Sequence, residues 1–167
     1  MSWLRVATDK PSPFEGVLGL RPELLKLYRS FYGQLWDGEM VPPNLLELCR
    51  LRIALIHGCE AETAIRHVHA GVSDEQVAAL DHWRAAACFS LAERAALALA
   101  DKIPRQHHEV TDADVAALRE HLDDPQVVAL TLAATLFDAH CRLRLVLGVT
   151  PRPARVDVPA AADGVLY

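Results

Sequence analysis

The sequence lacks a basic surplus, a paired-cysteine motif and any long uninterrupted apolar run, and each shortage removes a class of protein. Lys and Arg number 17 against 22 Asp and Glu, a net charge of −5, so the phosphate neutralisation behind nucleic-acid affinity is missing and no nucleic-acid partner is expected. The cysteines, at 49, 59, 88 and 141, form no Cys-x-x-Cys pair and no secretory framework, which predicts free thiols in a reducing compartment. The first residues carry no apolar stretch of signal-peptide length and meet Pro11 and Pro13, so a cytoplasmic location is expected. The longest apolar segment, 127–147, is broken by Thr131, Asp138, His140, Arg142 and Arg144 and reads as a core helix with no role in a membrane. No strand alternation, fixed-period repeat, phosphate-binding glycine loop or Ser-His-Asp elbow is present. Of the 8 histidines, His67 and His69 stand at i, i+2 and point apart, while His107-His108 follow Pro104 in a loop, so neither a metal site nor a cofactor is expected.

What is present is helical. The chain has 167 residues, 51% of them apolar, enough for one domain whose core needs no staples. Ser73 with Gln76, Ser90 with Glu93, and Thr111 with Asp114 have capping-box spacing, and Asp124-Pro125 opens a further helix. Pro22 to Trp36 carries a helical apolar stripe ending near Asp37-Gly38, and residues 44–57 are apolar around most of their circumference, as a helix buried on most sides requires. The predicted architecture is an all-α bundle. Residues 1–20 read as an extended N-terminal arm, 21–148 as the helical domain, and 149–167, with Thr150-Pro151-Arg152-Pro153, as an extended tail that lies across a neighbouring subunit.

The stretch from Glu47 to His69 carries the chemistry. Gly58 separates two helical patterns, which places Cys59 in the first turn of a new helix, where free amides favour a thiolate. On that helix Cys59, Glu62 and Arg66 follow at i, i+3 and i+7 with His67 beside them, so an acid, a base and a thiol share one face. Glu47, in a mostly apolar helix, is either paired with Arg50 or Arg52 or held at a site with a raised pKa. Glu62 to Arg66 has the favourable i to i+4 order for an ion pair, which would hold the carboxylate and offset its repulsion of the thiolate. Cys59 itself reads either as a buried inert thiol or as a reactive one.

Glu47-Leu48-Cys49-Arg50-Leu51-Arg52-Ile53 leading to His57-Gly58-Cys59 resembles the signature of the carboxymuconolactone decarboxylase superfamily, which includes the AhpD-like alkylhydroperoxidases. The twelve residues from Glu47 to Cys59 match the spacing of the peroxidase members' acid and first cysteine. Gly71 to Glu75, Glu93 to Ala100, Arg142-Leu143 and the lead-in Phe31-Tyr32-Gly33 are similar as well, and the likeness covers residues 24–148. It implies an AhpD-like helical bundle packed as a homo-oligomer, a trimer or hexamer. In the peroxidase branch a second cysteine follows three residues after the first and a histidine four residues beyond that. Here those positions hold Glu62 and Arg66, Ala61 replaces the histidine between the cysteines, and of the family's later Asn-Arg pair only Arg142 remains, with Cys141 in place of the asparagine.

The missing resolving cysteine ranks the expectations. First stands an enzyme acting by acid–base chemistry on a small carboxylated or lactone-type substrate, with Glu47, Cys59, Glu62 and His67 as catalytic residues and Arg66 binding a substrate carboxylate. Second stands a thiol hydroperoxidase using Cys59, resolved by Cys49, Cys88, Cys141 or an external thiol. Third stands a catalytically idle helical scaffold.

Overall fold

The computed structural model describes residues 3–4, 9–36, 40–149, 155–159 and 164–167. The expected helix stop at Asp37-Gly38 and the Thr150 to Pro153 run lie outside them. The helices are α1 (Pro13–Leu18), α2 (Pro22–Leu35), α3 (Pro43–His57), α4 (Glu60–Thr63), α5 (Asp74–Ala79), α6 (Leu91–Lys102), α7 (Asp112–Arg119) and α8 (Asp124–Val146). Two short strands, β1 (Ile65–His67) and β2 (Val156–Val158), join them.

Helix α3 is the axis of the molecule. Its Leu45, Leu46, Cys49 and Ile53 face a core shared with α1, α2, α6 and α8. Its Leu48 and Leu51 face a second core of Leu80, Trp83, Phe89 and Leu97. A helix apolar around its circumference is therefore covered on both sides by its own chain. The flanking helices start where their caps dictate. Ser73, Ser90 and Thr111 each form a capping box with the residue three places on. For α8 the cap is Asp123, whose carboxylate accepts the Gln126 N–H at 2.8 Å, one residue upstream of the expected start. Asp124 and Pro125 then occupy the first helical positions, where proline loses nothing by lacking an N–H.

Three local expectations are corrected. The helix begun after Cys59 stops at Thr63, and Ile65–His67 instead forms a strand parallel to Val156–Val158 with Arg66 opposite Asp157. The cause is hydrogen-bond competition. Arg50 takes the carbonyls of Glu62 and Ile65 at 2.8 and 2.6 Å, which a continuing helix would need as acceptors, while Val156 N–H binds the Ala64 carbonyl at 2.8 Å. The arm is not wholly extended, because Ser12 caps α1 and Phe14 is buried. The tail lies on its own chain. Leu166 is buried, its N–H donates to Glu15 Oε1 at 3.0 Å, and its carbonyl accepts from the Ser12 hydroxyl. The tail crosses α2 at Gly164 and Gly33, where a Cβ on Gly33 would sit 3.2 Å from the Gly164 Cα. A Cβ on Gly164 would run into the Arg29 carbonyl.

Gly58 ends α3 in the left-handed region at φ 61°, with open space where a Cβ would go. Gly58→Ala therefore meets no clash but acquires the left-handed penalty of about 1 to 2 kcal/mol. Thermal unfolding should show a Tm lowered by roughly 2 to 8 °C, and an unchanged Tm would contradict the helix end described.

Candidate functional site

The site begins with a buried arginine. Arg50 Nε and Nη2 clamp both oxygens of Glu47 at 2.8 and 2.9 Å, and Nη1 reaches Glu62 Oε2 at 3.0 Å. Of the two readings for Glu47, pairing with Arg50 is the one the geometry carries. Glu47 Oε1 also accepts the His67 backbone N–H at 3.1 Å. Three ions, Glu47, Arg50 and Glu62, thus lie with under 4% of their surface exposed, tolerable only because each is paired and hydrogen-bonded.

Glu62 is gripped from a second side by α8. Arg144 Nε lies 2.5 Å and His140 Nε2 3.3 Å from its Oε1. Burial opposes its charge, but Arg144, His140 and Arg50 outweigh that and hold the carboxyl well below the ordinary range. The expected partner, Arg66, is elsewhere. Once the helix ends at Thr63, Arg66 sits on β1 and donates to Asp74 Oδ1 at 3.2 Å and to the Val72 carbonyl at 3.1 Å, with Glu47 Oε1 at 3.8 Å. Its donors serve the protein itself, which removes the motive for reading it as the substrate's arginine. Arg142, expected from the family pattern, is exposed and binds Asp138 and the Pro104 carbonyl.

Cys59 stands at the N-cap of α4 and is 1% exposed. Its side chain meets that of Cys141 on α8, also 1% exposed. The Cys141 thiol is the chief influence lowering the Cys59 pKa, against burial, with the Glu62 backbone N–H and the Arg144 charge also lowering it and the Glu62 charge raising it. Cys59 and burial in turn push the Cys141 thiol up. The other cysteines are set apart. Cys49 donates to the Ala96 carbonyl at 3.4 Å and burial pushes it up to about 12, while Cys88 packs in the second core beside Phe89 and Trp83. All four are free thiols.

His67 is buried too, but in a different setting. Its ring stacks on Trp36 at 3.7 Å with planes 6° apart, and its Nε2 lies 3.2 Å from the Tyr32 hydroxyl. Burial, with help from Arg50 and His69, depresses its pKa to about 2, so it stays neutral and is a poor proton carrier. Sequence reasoning missed Arg50 as the hub, and it missed His140 and Arg144. The available signal was two ionisable residues inside the apolar 127–147 segment, spaced i, i+4 on one helix face. Arg144 also bounds a narrow cleft of about 10 Å³, room for one water, with Pro13, Ala61, Ala64, Ile65, Val156 and Tyr167. Its Nη2 has no hydrogen-bond partner among the described residues, though the side chain is 3% exposed. Among the described residues no group of His, Cys, Asp and Glu is arranged to hold a metal, and no helix is long and apolar enough to cross a membrane.

Comparison with known proteins places this arrangement. The model of the carboxymuconolactone decarboxylase family matches residues 22–102. A protein of unknown function from Agrobacterium tumefaciens, proposed as the antioxidant defence protein AhpD, superposes with TM-score 0.71 at 20% identity, over 81% of this chain and 95% of that one. The alkylhydroperoxidase AhpD core of an uncharacterized peroxidase-related protein from Ralstonia eutropha JMP134 gives 0.68 at 20%, over 84% and 77%. No curated protein matches the sequence. The fold is AhpD-like, with a buried acid on one helix and a cysteine opening the next. Over residues 22–102 the chain is similar to the carboxymuconolactone decarboxylase family, and it carries no Cys-x-x-Cys pair.

The buried imidazoles set a pH dependence. Burial lowers both His67 and His140 in the folded state, whereas an unfolded histidine titrates near 6.5. The unfolded chain therefore binds more protons below that pH, so stability is full above about pH 6.5 and declines as pH falls, by up to about 1.4 kcal/mol per unit for each histidine. Denaturant unfolding at pH 7, 6 and 5 should show this decline, with His67→Phe roughly halving the slope. A flat profile would contradict the two neutral imidazoles.

Proposed function

We propose that the chain is an AhpD-like thiol peroxidase in which Cys59 attacks the peroxide and Cys141 resolves the product. The single observation behind this is that Cys59 on α4 and Cys141 on α8 are buried in the same core, each the leading influence on the other's thiol. The sequence ranked acid–base chemistry first because Glu62 occupies the usual place of the second cysteine. A thiol supplied from α8 removes that objection and reverses the order.

The reaction balances on these two sulfurs. The Cys59 thiolate attacks one peroxide oxygen, the O–O bond breaks, and the departing oxygen takes a proton, leaving a sulfenic acid and an alcohol or water. Cys141 then attacks the sulfenic sulfur. The S–S bond forms as the S–O bond breaks, and the Cys141 proton leaves with hydroxide as water. A cellular dithiol returns the disulfide to two thiols. Arg50 and Arg144 hold Glu62 ionised, so its charge is spent on them before it reaches the thiolate. Arg144 Nη2, without a hydrogen-bond partner among the described residues, is a donor for the peroxide oxygen. A homo-oligomer is part of this reading, with the exposed Leu24, Leu27 and Phe31 of α2 as apolar surface for a second copy.

The second reading keeps acid–base action on a small carboxylated or lactone-type substrate. What favours it is the same free Nη2 in a cleft beside Glu62, which suits a substrate carboxylate.

Mass spectrometry after stoichiometric hydrogen peroxide decides between them. The wild type should lose two hydrogens as a Cys59–Cys141 disulfide, and Cys141→Ser should yield a dimedone-trappable sulfenate at Cys59. Cys49→Ser and Cys88→Ser should behave as wild type. Untouched thiols in all of these would overturn the peroxidase reading, and turnover of a carboxylated lactone that survives Cys59→Ser would establish the second.

A further inference from the structure

Between α6, α7 and α8 lies a chamber of about 290 Å³ that shares no wall with the thiol site. Its apolar walls are Leu99 and Ile103 of α6, Val110 ahead of α7, Val115 and Leu118 on α7, and Val127 of α8. All six are aliphatic. Leu99 and Leu118 are buried whereas Val115 is 38% exposed, so the chamber runs from the surface inward. Thr131, which also lines it, stands ten residues before Cys141 on α8, and at 1.5 Å per residue this sets the two about 15 Å apart. Native interiors leave few voids larger than a water molecule. An apolar void of about 150 Å³ stays dry and takes up benzene, so this one has room for a hydrocarbon chain of roughly eight carbons.

The polar residues of the chamber decide what head group suits it. Thr131 donates its hydroxyl proton to the Val127 carbonyl at 2.8 Å, which leaves the oxygen as an acceptor. Asp114 Oδ2 accepts from Lys102 Nζ at 2.6 Å and from the Thr111 N–H and hydroxyl, each at 2.7 Å, while no hydrogen bond among the described residues reaches Oδ1. Lys102, then the Thr111 hydroxyl and N–H, hold the Asp114 carboxyl down at about 2, so at neutral pH it accepts and cannot donate. Lys102 is turned to Asp114 and, at 3.0 Å, to the Glu109 carbonyl, and it does not line the chamber. The third polar residue is His107, on the exposed side. Two acceptors, one of them charged, beside an aliphatic hollow suit a molecule with a donor at one end.

We propose that this chamber binds a small aliphatic amine, its hydrocarbon body filling the space and its ammonium group hydrogen-bonded to Asp114. An ammonium supplies three donors and a positive charge. A carboxylate would set a second anion beside Asp114, and an alcohol would supply a donor without charge. The binding does not depend on whether the thiols react.

Isothermal titration of the full chain with octylamine, octanol and octanoate tests this, because the three share one chain length and differ at the head. Octylamine should bind about tenfold tighter than octanol, and octanoate more weakly than either. Asp114→Asn removes the charge but keeps an acceptor for the Thr111 N–H, and it should bring octylamine to the affinity of octanol. Lys102→Gln removes the ammonium that competes for Asp114 and should tighten octylamine severalfold. Val115→Phe sets a ring in the chamber from an exposed position and should abolish binding of all three. Thermal unfolding checks that each variant is folded, and should Asp114→Asn unfold, Lys102→Gln tests the same carboxylate with the opposite sign. Equal affinity for octylamine and octanol, tighter binding of octanoate, or octylamine binding that survives Val115→Phe would overturn the proposal. No saturable binding of octylamine at millimolar concentration would overturn it as well.

Discussion

The whole arrangement depends on one guanidinium. Arg50 makes five hydrogen bonds, to both oxygens of Glu47, to the Glu62 carboxylate, and to the Glu62 and Ile65 carbonyls. Five is the number of N–H groups the side chain owns. Removing such an ion from water costs several kcal/mol, and the bidentate carboxylate with its further acceptors is the geometry that offsets the loss. By capturing two carbonyls it also sets the backbone. Helix α4 cannot continue, β1 is left with a free edge, and the tail has a strand to join. The buried carboxylate pair, helix end and tail docking are consequences of one buried side chain.

The charge balance around the sulfur pair follows from the same point. A carboxylate one turn from a thiolate is repulsive, and the sequence offered Arg66 as the compensating charge. The structure distributes that task over Arg50 and Arg144, which approach Glu62 from opposite sides, and leaves Arg66 to tie β1 to the start of α5 through Asp74. Glu62 thereby becomes a fixed acceptor between two cations and an imidazole.

Much of the scaffold could be read from sequence because its signals are local. Ser73, Ser90 and Thr111 cap the helices they were expected to cap, and the all-round apolar pattern of residues 44–57 marks a helix packed on two cores. The Glu47 to Cys59 spacing placed an acid and a thiol on adjoining elements, as found. What the sequence concealed depends on contacts between distant segments. Nothing near Ile65 announces a strand, because its partner Val156 lies in the tail. Nothing near Cys59 announces Cys141, because their meeting depends on how α8 is rotated against α3. His140 and Arg144 were visible as polar residues in an apolar segment, but the direction they face is a property of packing and not of pattern. The site was thus half legible, with its first half written in one continuous motif and its second half brought by another helix.

The crossing of Gly33 and Gly164 bears on all of this from outside the site. With no side chain on either strand of the crossing, the two backbones lie in direct contact, and this lets Leu166 reach the core and Tyr167 border the Arg144 cleft. The tail is thus a gasket whose seating is fixed by two missing methyl groups. A bulkier residue at either position would lift it, taking Leu166 out of the core and opening the Arg144 cleft to water.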